Sequence, residues 1–139
     1  PDGRQAARAM SNALGTARIP APEVGYINAH GSSTPLNDPT EALAIRHVFG
    51  GHADRVPLSG TKGYFGHALG ASGAIEAAIC ALASRRGWLP PSVNLRDPDP
   101  TCELNYVPDG GATAAPEFLL SNSFGFGGIN AALLFRAGT

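Results

Sequence analysis

Two histidines, each on a short glycine-rich segment after an apolar run, carry the clearest chemistry in this sequence: Asn28-Ala29-His30-Gly31-Ser32-Ser33-Thr34 and Thr61-Lys62-Gly63-Tyr64-Phe65-Gly66-His67. A neutral imidazole can donate a hydrogen bond, take a proton or ligate a metal, and a loop histidine can equally do no more than satisfy backbone groups. The spacing matches no zinc pattern and neither cysteine stands in a C-x-x-C arrangement, so no metal is expected. Lys62 is either an orienting cation or a solvated surface lysine. Glu76, the one acid of an otherwise uncharged helical stretch, reads as a buried acid paired with a cation rather than an exposed-edge residue. Ser32, Ser33 and Thr34 have no acid-base partner at a recognisable spacing and read as hydrogen-bond donors to an extended ligand. In Ser121-Asn122-Ser123-Phe124-Gly125-Phe126-Gly127-Gly128 the glycines permit positive φ and can aim amide N–H groups at a developing oxyanion, with Phe124 and Phe126 as apolar walls. A plain hairpin turn is the alternative. No convincing nucleophile is present, since Cys80 lies among Ala78, Ile79, Ala81 and Leu82, where a thiol behaves as a small hydrophobe. His47 and His52 fall near a helix end and the loop after it, and no catalytic role is expected of them.

The elements that must position these groups follow from periodicity and punctuation. Ala6, Ala9, Met10 and Ala13 form an amphipathic stripe, predicting a helix over Asp2 to Leu14 with Gly15 as its C-cap. Val24 to Ala29 reads as a buried strand that delivers His30 at its end. Asp38-Pro39-Thr40-Glu41 supplies a cap, an N1 proline and an N3 glutamate for a helix to Phe49. Val56 to Ser59 is a shorter strand, and after the loop Gly60 to Gly66 a Gly/Ala-rich helix spans Gly70 to Arg86, stopped by Gly87. Its nearly charge-free surface suits burial between two layers. Following a Pro/Asp-rich connector, Pro90 to Pro100, the runs Phe118 to Ser123 and Asn130 to Phe135 read as antiparallel strands around the glycine turn. Alternating strands and helices with a closing hairpin define an α/β class with a mixed sheet, where chemistry gathers at the carboxyl ends of strands.

At 139 residues the chain is one domain's worth. Charged residues make up only 15%, which fits a chain with extensive protein-covered surface. A net charge of −1 without a basic cluster argues against nucleic acid. No apolar run approaches a membrane span and no signal peptide opens the sequence, so a cytoplasmic location without a membrane is expected. Cys80 and Cys102 are too few for a disulfide scaffold and are expected to be reduced.

Taken in order, Tyr26 to Asp38, Gly60-Thr61-Lys62 followed by Gly66-His67, Gly70 to Glu76, and Leu120 to Asn130 resemble the C-terminal half of a β-ketoacyl-acyl carrier protein synthase, a condensing enzyme, most like the type II bacterial (KAS II-like) form. The resemblance covers nearly the whole chain. It implies a thiolase-like fold of two similar α/β halves stacked in five layers, with residues 1–139 as part of the second half. That half is a mixed five-stranded sheet with helices on both faces, and its first, central strand lies before helix one and is missing here. The acyl-accepting cysteine belongs to the absent N-terminal half. By the same resemblance His30 and His67 complete a Cys-His-His site, and Lys62 and Glu76 are its supporting polar residues. Ser32 and Thr34 contact the phosphopantetheine arm, although the family more often has threonine at the first position. Phe126 is a gating residue whose backbone N–H joins the oxyanion hole, and Phe124 lies beside it. Tyr64-Phe65 departs from the family's small or hydroxylated residues, with consequences for the acyl pocket. The implied partners are acyl- and malonyl-loaded acyl carrier protein, the N-terminal half, and a second copy of the complete enzyme in a homodimer. No cofactor is expected beyond the phosphopantetheine that arrives on the carrier protein. The implied reaction is chain elongation in fatty-acid synthesis, with the isolated chain inactive and exposed to aggregation. A polyketide ketosynthase, an inactive fragment and a non-catalytic partner resembling chain-length-determining subunits are the rival readings; loss of a histidine would favour the non-catalytic partner, and both are present.

Overall fold

The run Val24–Ala29 forms β1, the buried centre of a four-stranded sheet in this computed structural model, which describes residues 2–138. Its parallel neighbours are β2 (Leu58–Gly60) and β5 (Phe118–Phe124), and β6 (Asn130–Arg136) pairs antiparallel with β5, giving the order β2-β1-β5-β6. Side chains alternate across β1, so Ile27 enters a core with Met10, Leu14, Ile45 and Phe49, while Tyr26 enters another with Cys80, Ala83, Leu89 and Leu119. Both faces are covered, which is why β1 reads as an apolar run rather than an alternating one. The first core is supplied by α1 (Arg4–Ala17) and α2 (Asn37–Phe49), and the second by α4 (Ser72–Arg86). Burying a side chain such as Ile27 or Ile45 contributes roughly 1.5–3 kcal/mol.

Several boundaries differ from the sequence expectation for identifiable reasons. α1 runs past Gly15, because Arg18 adopts the left-handed conformation (φ 58°) and the Ile19 N–H closes on Leu14 O at 3.0 Å. The stretch after Gly60 contains a single helical turn, α3 (Lys62–Phe65), and a small ladder pairs β3 (Trp88–Leu89) with β4 (Ala112–Thr113). The Gly70 helix begins at Ser72 after a 3-10 turn, and Gly87 does terminate it with φ 60°. On α4, Ser72, Glu76, Cys80 and Ala83 are buried, while Ala74, Ala78, Ala81 and Leu82 are exposed.

The expected sheet needs a larger correction. Among the described residues it has four strands, the number expected of a five-stranded sheet without its first, but no central gap: Tyr26, Ile27 and Asn28 of β1 pair directly with Leu119, Leu120 and Ser121 of β5. A strand preceding α1 therefore has room only at an edge. The outer edge of β2 is occupied, since Leu58 N–H donates to Asn105 O at 3.0 Å and Val107 N–H to Leu58 O at 2.9 Å. The outer edge of β6 is open, flanked by a groove of about 510 Å³ between Ala9, Asn12 and Ala13 of α1 and residues 130–134. That edge is the place where an unpaired strand invites another.

Candidate active site

β1 and β2 run side by side and end together, bringing the residues after each strand into contact. Gly31, at φ 46°, lies so close to Gly60 that a Cβ on it would stand 3.1 Å from the Gly60 Cα, so only glycine allows this approach. His30 is buried at the end of β1, and its ring meets that of His67 edge-on, with centroids 5.4 Å apart at 77°. The ring of Phe124, at the end of β5, lies 5.8 Å from the His30 ring, tilted by 47°.

Lys62 is buried on α3 and is an orienting cation, not a solvated lysine. Its ammonium donates to His30 O at 2.5 Å, faces His30 Nδ1 at 3.4 Å and forms a buried ion pair with Glu76 on α4. Burial pushes the Glu76 carboxyl above its ordinary range, against the opposing pull of the Lys62 ammonium. An ammonium has donors and no acceptor, so the His30 Nδ1 that faces it carries a lone pair and the ring proton sits on Nε2. Burial, the Lys62 charge and His67 together hold the His30 pKa down at about 4. His67 reaches the same tautomer by another route. Leu69, held at the unusual φ of 50°, turns its backbone N–H onto His67 Nδ1 at 3.1 Å, with Ser72 Oγ at 3.4 Å, which leaves the proton on Nε2. Two neutral imidazoles, each with a free Nε2–H, are suited to hold one developing oxyanion.

The His30 loop has a support that the sequence reading missed. Glu41 does not cap α2; its carboxylate is buried and accepts the N–H groups of His30 at 2.9 Å and Gly31 at 3.0 Å. Asn122 of β5 donates to it at 3.1 Å. Burial raises its carboxyl above the ordinary range, and these donors oppose the rise. Glu41 stands one turn before Ile45 on the buried face of α2, so an acid on an apolar stripe was the available signal, masked by the Asp38-Pro39 cap pattern. Replacing Glu41 by Gln sets an amide N–H₂ against those backbone donors. It should destabilise the fold by about 1–3 kcal/mol, as read by thermal melting of the intact protein.

The remaining candidates divide. Ser32 Oγ and Thr34 Oγ1 lie 3.0 Å apart, and Thr34 Oγ1 also accepts the Asn37 N–H at 3.2 Å, so it helps to start α2. Phe126 stands fully exposed on the hairpin turn, where Gly127 and Gly128 adopt φ 75° and 80° and Gly125 N–H donates to Ile129 O at 2.7 Å. Tyr64 and Phe65 line an apolar groove of about 210 Å³ with Ile79, Leu82 and Trp88. Cys80 is buried and its thiol is pushed up to about 12 by burial, in keeping with a packing role.

A histidine unfolds to a pKa near 6.5. Because the folded value of His30 lies near 4, the unfolded chain binds more protons between those limits. Stability should therefore fall as the pH drops from about 6.5 towards 4, by at most on the order of 3 kcal/mol from this group. A proton-NMR titration of His30 in the intact protein should show no midpoint above about 5; one near 6.5 would contradict the buried, ammonium-facing placement.

The mixed α/β sheet thus brings together two imidazoles, His30 directly after β1 and His67 beyond β2 and the turn α3, in an arrangement suited to hydrogen-bonding one oxyanion. The chain belongs to the β-ketoacyl synthase family: the profile of the β-ketoacyl synthase C-terminal domain matches residues 1–96. It is 48% identical over 136 residues to 3-oxoacyl-[acyl-carrier-protein] synthase 2 of Synechocystis sp., a match spanning 98% of this chain and 33% of that protein. It is 45% identical over 137 residues to the ketoacyl synthase alpha subunit of the tetracenomycin polyketide synthase of Streptomyces glaucescens, spanning 98% of this chain and 32% of that one. Among solved structures, a type II polyketide ketosynthase in complex with its acyl-carrier protein and bound to a hexaketide superimposes with a TM-score of 0.95 at 39% identity, over 99% of this chain and 34% of that one. The chain thus spans about a third of the length of the curated relatives it matches, and its fold is that of the C-terminal half of a thiolase-like ketosynthase.

Proposed function

We propose that this chain supplies the two histidines of a decarboxylative Claisen condensation, carried out when a preceding N-terminal half provides the acyl-bearing cysteine. The observation that supports it is the His30–His67 pair, with each Nδ1 occupied and each Nε2–H free. In this reading both Nε2–H groups donate to the carbonyl oxygen of malonyl thioester. The bond between the carboxylate and the α-carbon breaks, CO2 leaves, and the electron pair becomes an enolate held by the two donors. The α-carbon then attacks the cysteine-bound acyl carbonyl, and the cysteine departs as thiolate. The Phe126 N–H, on its glycine turn, serves as an oxyanion donor in that second step, with the Phe126 and Phe124 rings beside the acyl chain. Ser32 and Thr34 hold the phosphopantetheine arm of the acyl carrier protein, the source of both substrates, and no other cofactor takes part.

The similarity to the Synechocystis synthase supports elongation in fatty-acid synthesis. The similarity to the tetracenomycin subunit keeps polyketide synthesis as the second reading. The exposed Ala74, Ala78 and Leu82 face of α4 suits cover by the N-terminal half, and the complete enzyme is proposed to be a homodimer of the cytoplasm. No helix among the described residues is long and apolar enough to cross a membrane. The intact synthase should be incubated with acyl- and malonyl-loaded carrier protein and the products weighed by mass spectrometry. One condensation per acyl chain is the result expected; repeated condensation on one chain would favour the polyketide reading, and no carbon–carbon bond formation would overturn both.

A further inference from the structure

The turn that carries Lys62 and leads to His67 is held from outside by the segment Pro91–Val93. We propose that this strap, latched by the Tyr64 hydroxyl, positions Lys62 and His67 for reaction; the kinetic part of the argument rests on the condensing function above. α3 is one turn long, far too short to persist by its own hydrogen bonds, so its geometry must come from what it packs against. Three separate features tie it to the strap. Tyr64 Oη donates to Pro91 O at 3.0 Å, although the Tyr64 side chain is half exposed. Gly60 N–H, just before the turn, donates to Ser92 Oγ at 3.1 Å. A Cβ on Gly63 would lie 2.8 Å from Val93 Cγ2, so turn and strap touch with no room for a side chain.

The strap is itself a rigid reference. Pro90, Pro91 and Ser92 are buried, and the proline rings fix φ at consecutive positions. Ser92 N–H donates to Val107 O at 3.3 Å, and Val107 N–H donates to Leu58 O of β2 at 2.9 Å. The turn is thereby fastened to the sheet that also carries His30. A slip of the turn would move Lys62 away from His30 and Glu76, and would shift His67, which follows Phe65 by two residues; reaction rates are sensitive to displacements of about 1 Å. Tyr64 touches neither imidazole and is thus a positioning residue. The sequence singled out Tyr64 as a departure bearing on the acyl pocket; its ring lines the apolar groove and its hydroxyl donates to the backbone of the strap.

The test uses the intact synthase with Tyr64→Phe, which keeps the ring and removes only the latch. Turnover should fall about three- to tenfold, the range of one hydrogen bond, with KM for malonyl-loaded carrier protein changed less than about twofold. The side-chain nitrogen-15 resonances of His67 should shift. In a His67→Ala background the loss caused by Tyr64→Phe should shrink to the part that acts through Lys62 and His30. Gly63→Ala, which forces turn and strap apart, should move the same resonances and lower turnover further at temperatures where circular dichroism shows it folded. Unchanged turnover and resonances in Tyr64→Phe would overturn the proposal, as would an equal loss with and without His67 or a change in KM alone. If the wild-type protein formed no carbon–carbon bond, the functional reading would fail, and the His67 resonances would still decide the strap.

Discussion

Alanine at His30 or His67 should each lower malonyl decarboxylation by the intact synthase about 10²–10³-fold, the usual consequence of removing one oxyanion donor. The loss should fall on turnover rather than on KM, because the donors gain most as negative charge develops on the thioester oxygen and little in the ground state. The double variant should be only slightly slower than either single one, since one remaining donor cannot hold the charge that two were placed to share. Measuring CO2 release from malonyl-loaded carrier protein checks all three statements. Activity within a few-fold of wild type in both single variants would remove the histidines from the mechanism.

Lys62→Ala should have the second-largest effect, and it should appear in stability as well as in rate. It leaves the Glu76 carboxylate buried without its cation, a change that costs about 3–5 kcal/mol. The pair Lys62→Met with Glu76→Gln removes both charges at similar volume and should recover most of that stability. It should not recover decarboxylation, because the ammonium that keeps His30 Nδ1 unprotonated is gone. Thermal melting and CO2 release, measured on the same preparations, separate the two contributions. Equal stability losses in the single and double variants would show that the buried pair does not set the cost.

The histidine loops were legible in the sequence because each follows an apolar strand and is rich in glycine, and the buried Glu76 was legible because it is an acid on an uncharged helix. Glu41 obeys the same logic but was hidden, since a glutamate three residues after Asp38 satisfies a capping pattern locally while its actual partners, the N–H groups of His30 and Gly31, lie in another loop. The turn Lys62–Phe65 has no periodicity to detect, and its form comes from Pro91–Val93 about thirty residues further on. Strand order was the deepest difficulty. Residues fix whether Val24–Ala29 and Phe118–Phe124 are strands, yet their direct pairing depends on which helices cover which face, and a central gap was expected where the two strands meet. Arg18 shows the same limit on a smaller scale, a left-handed cap where the nearby Gly15 looked better suited.

The nitrogen-15 spectrum of the histidine side chains in the intact synthase at neutral pH tests the central claim most directly. The account predicts His30 and His67 both neutral, with the proton on Nε2 and Nδ1 bare. An imidazolium, or a proton on Nδ1, at either residue would contradict it.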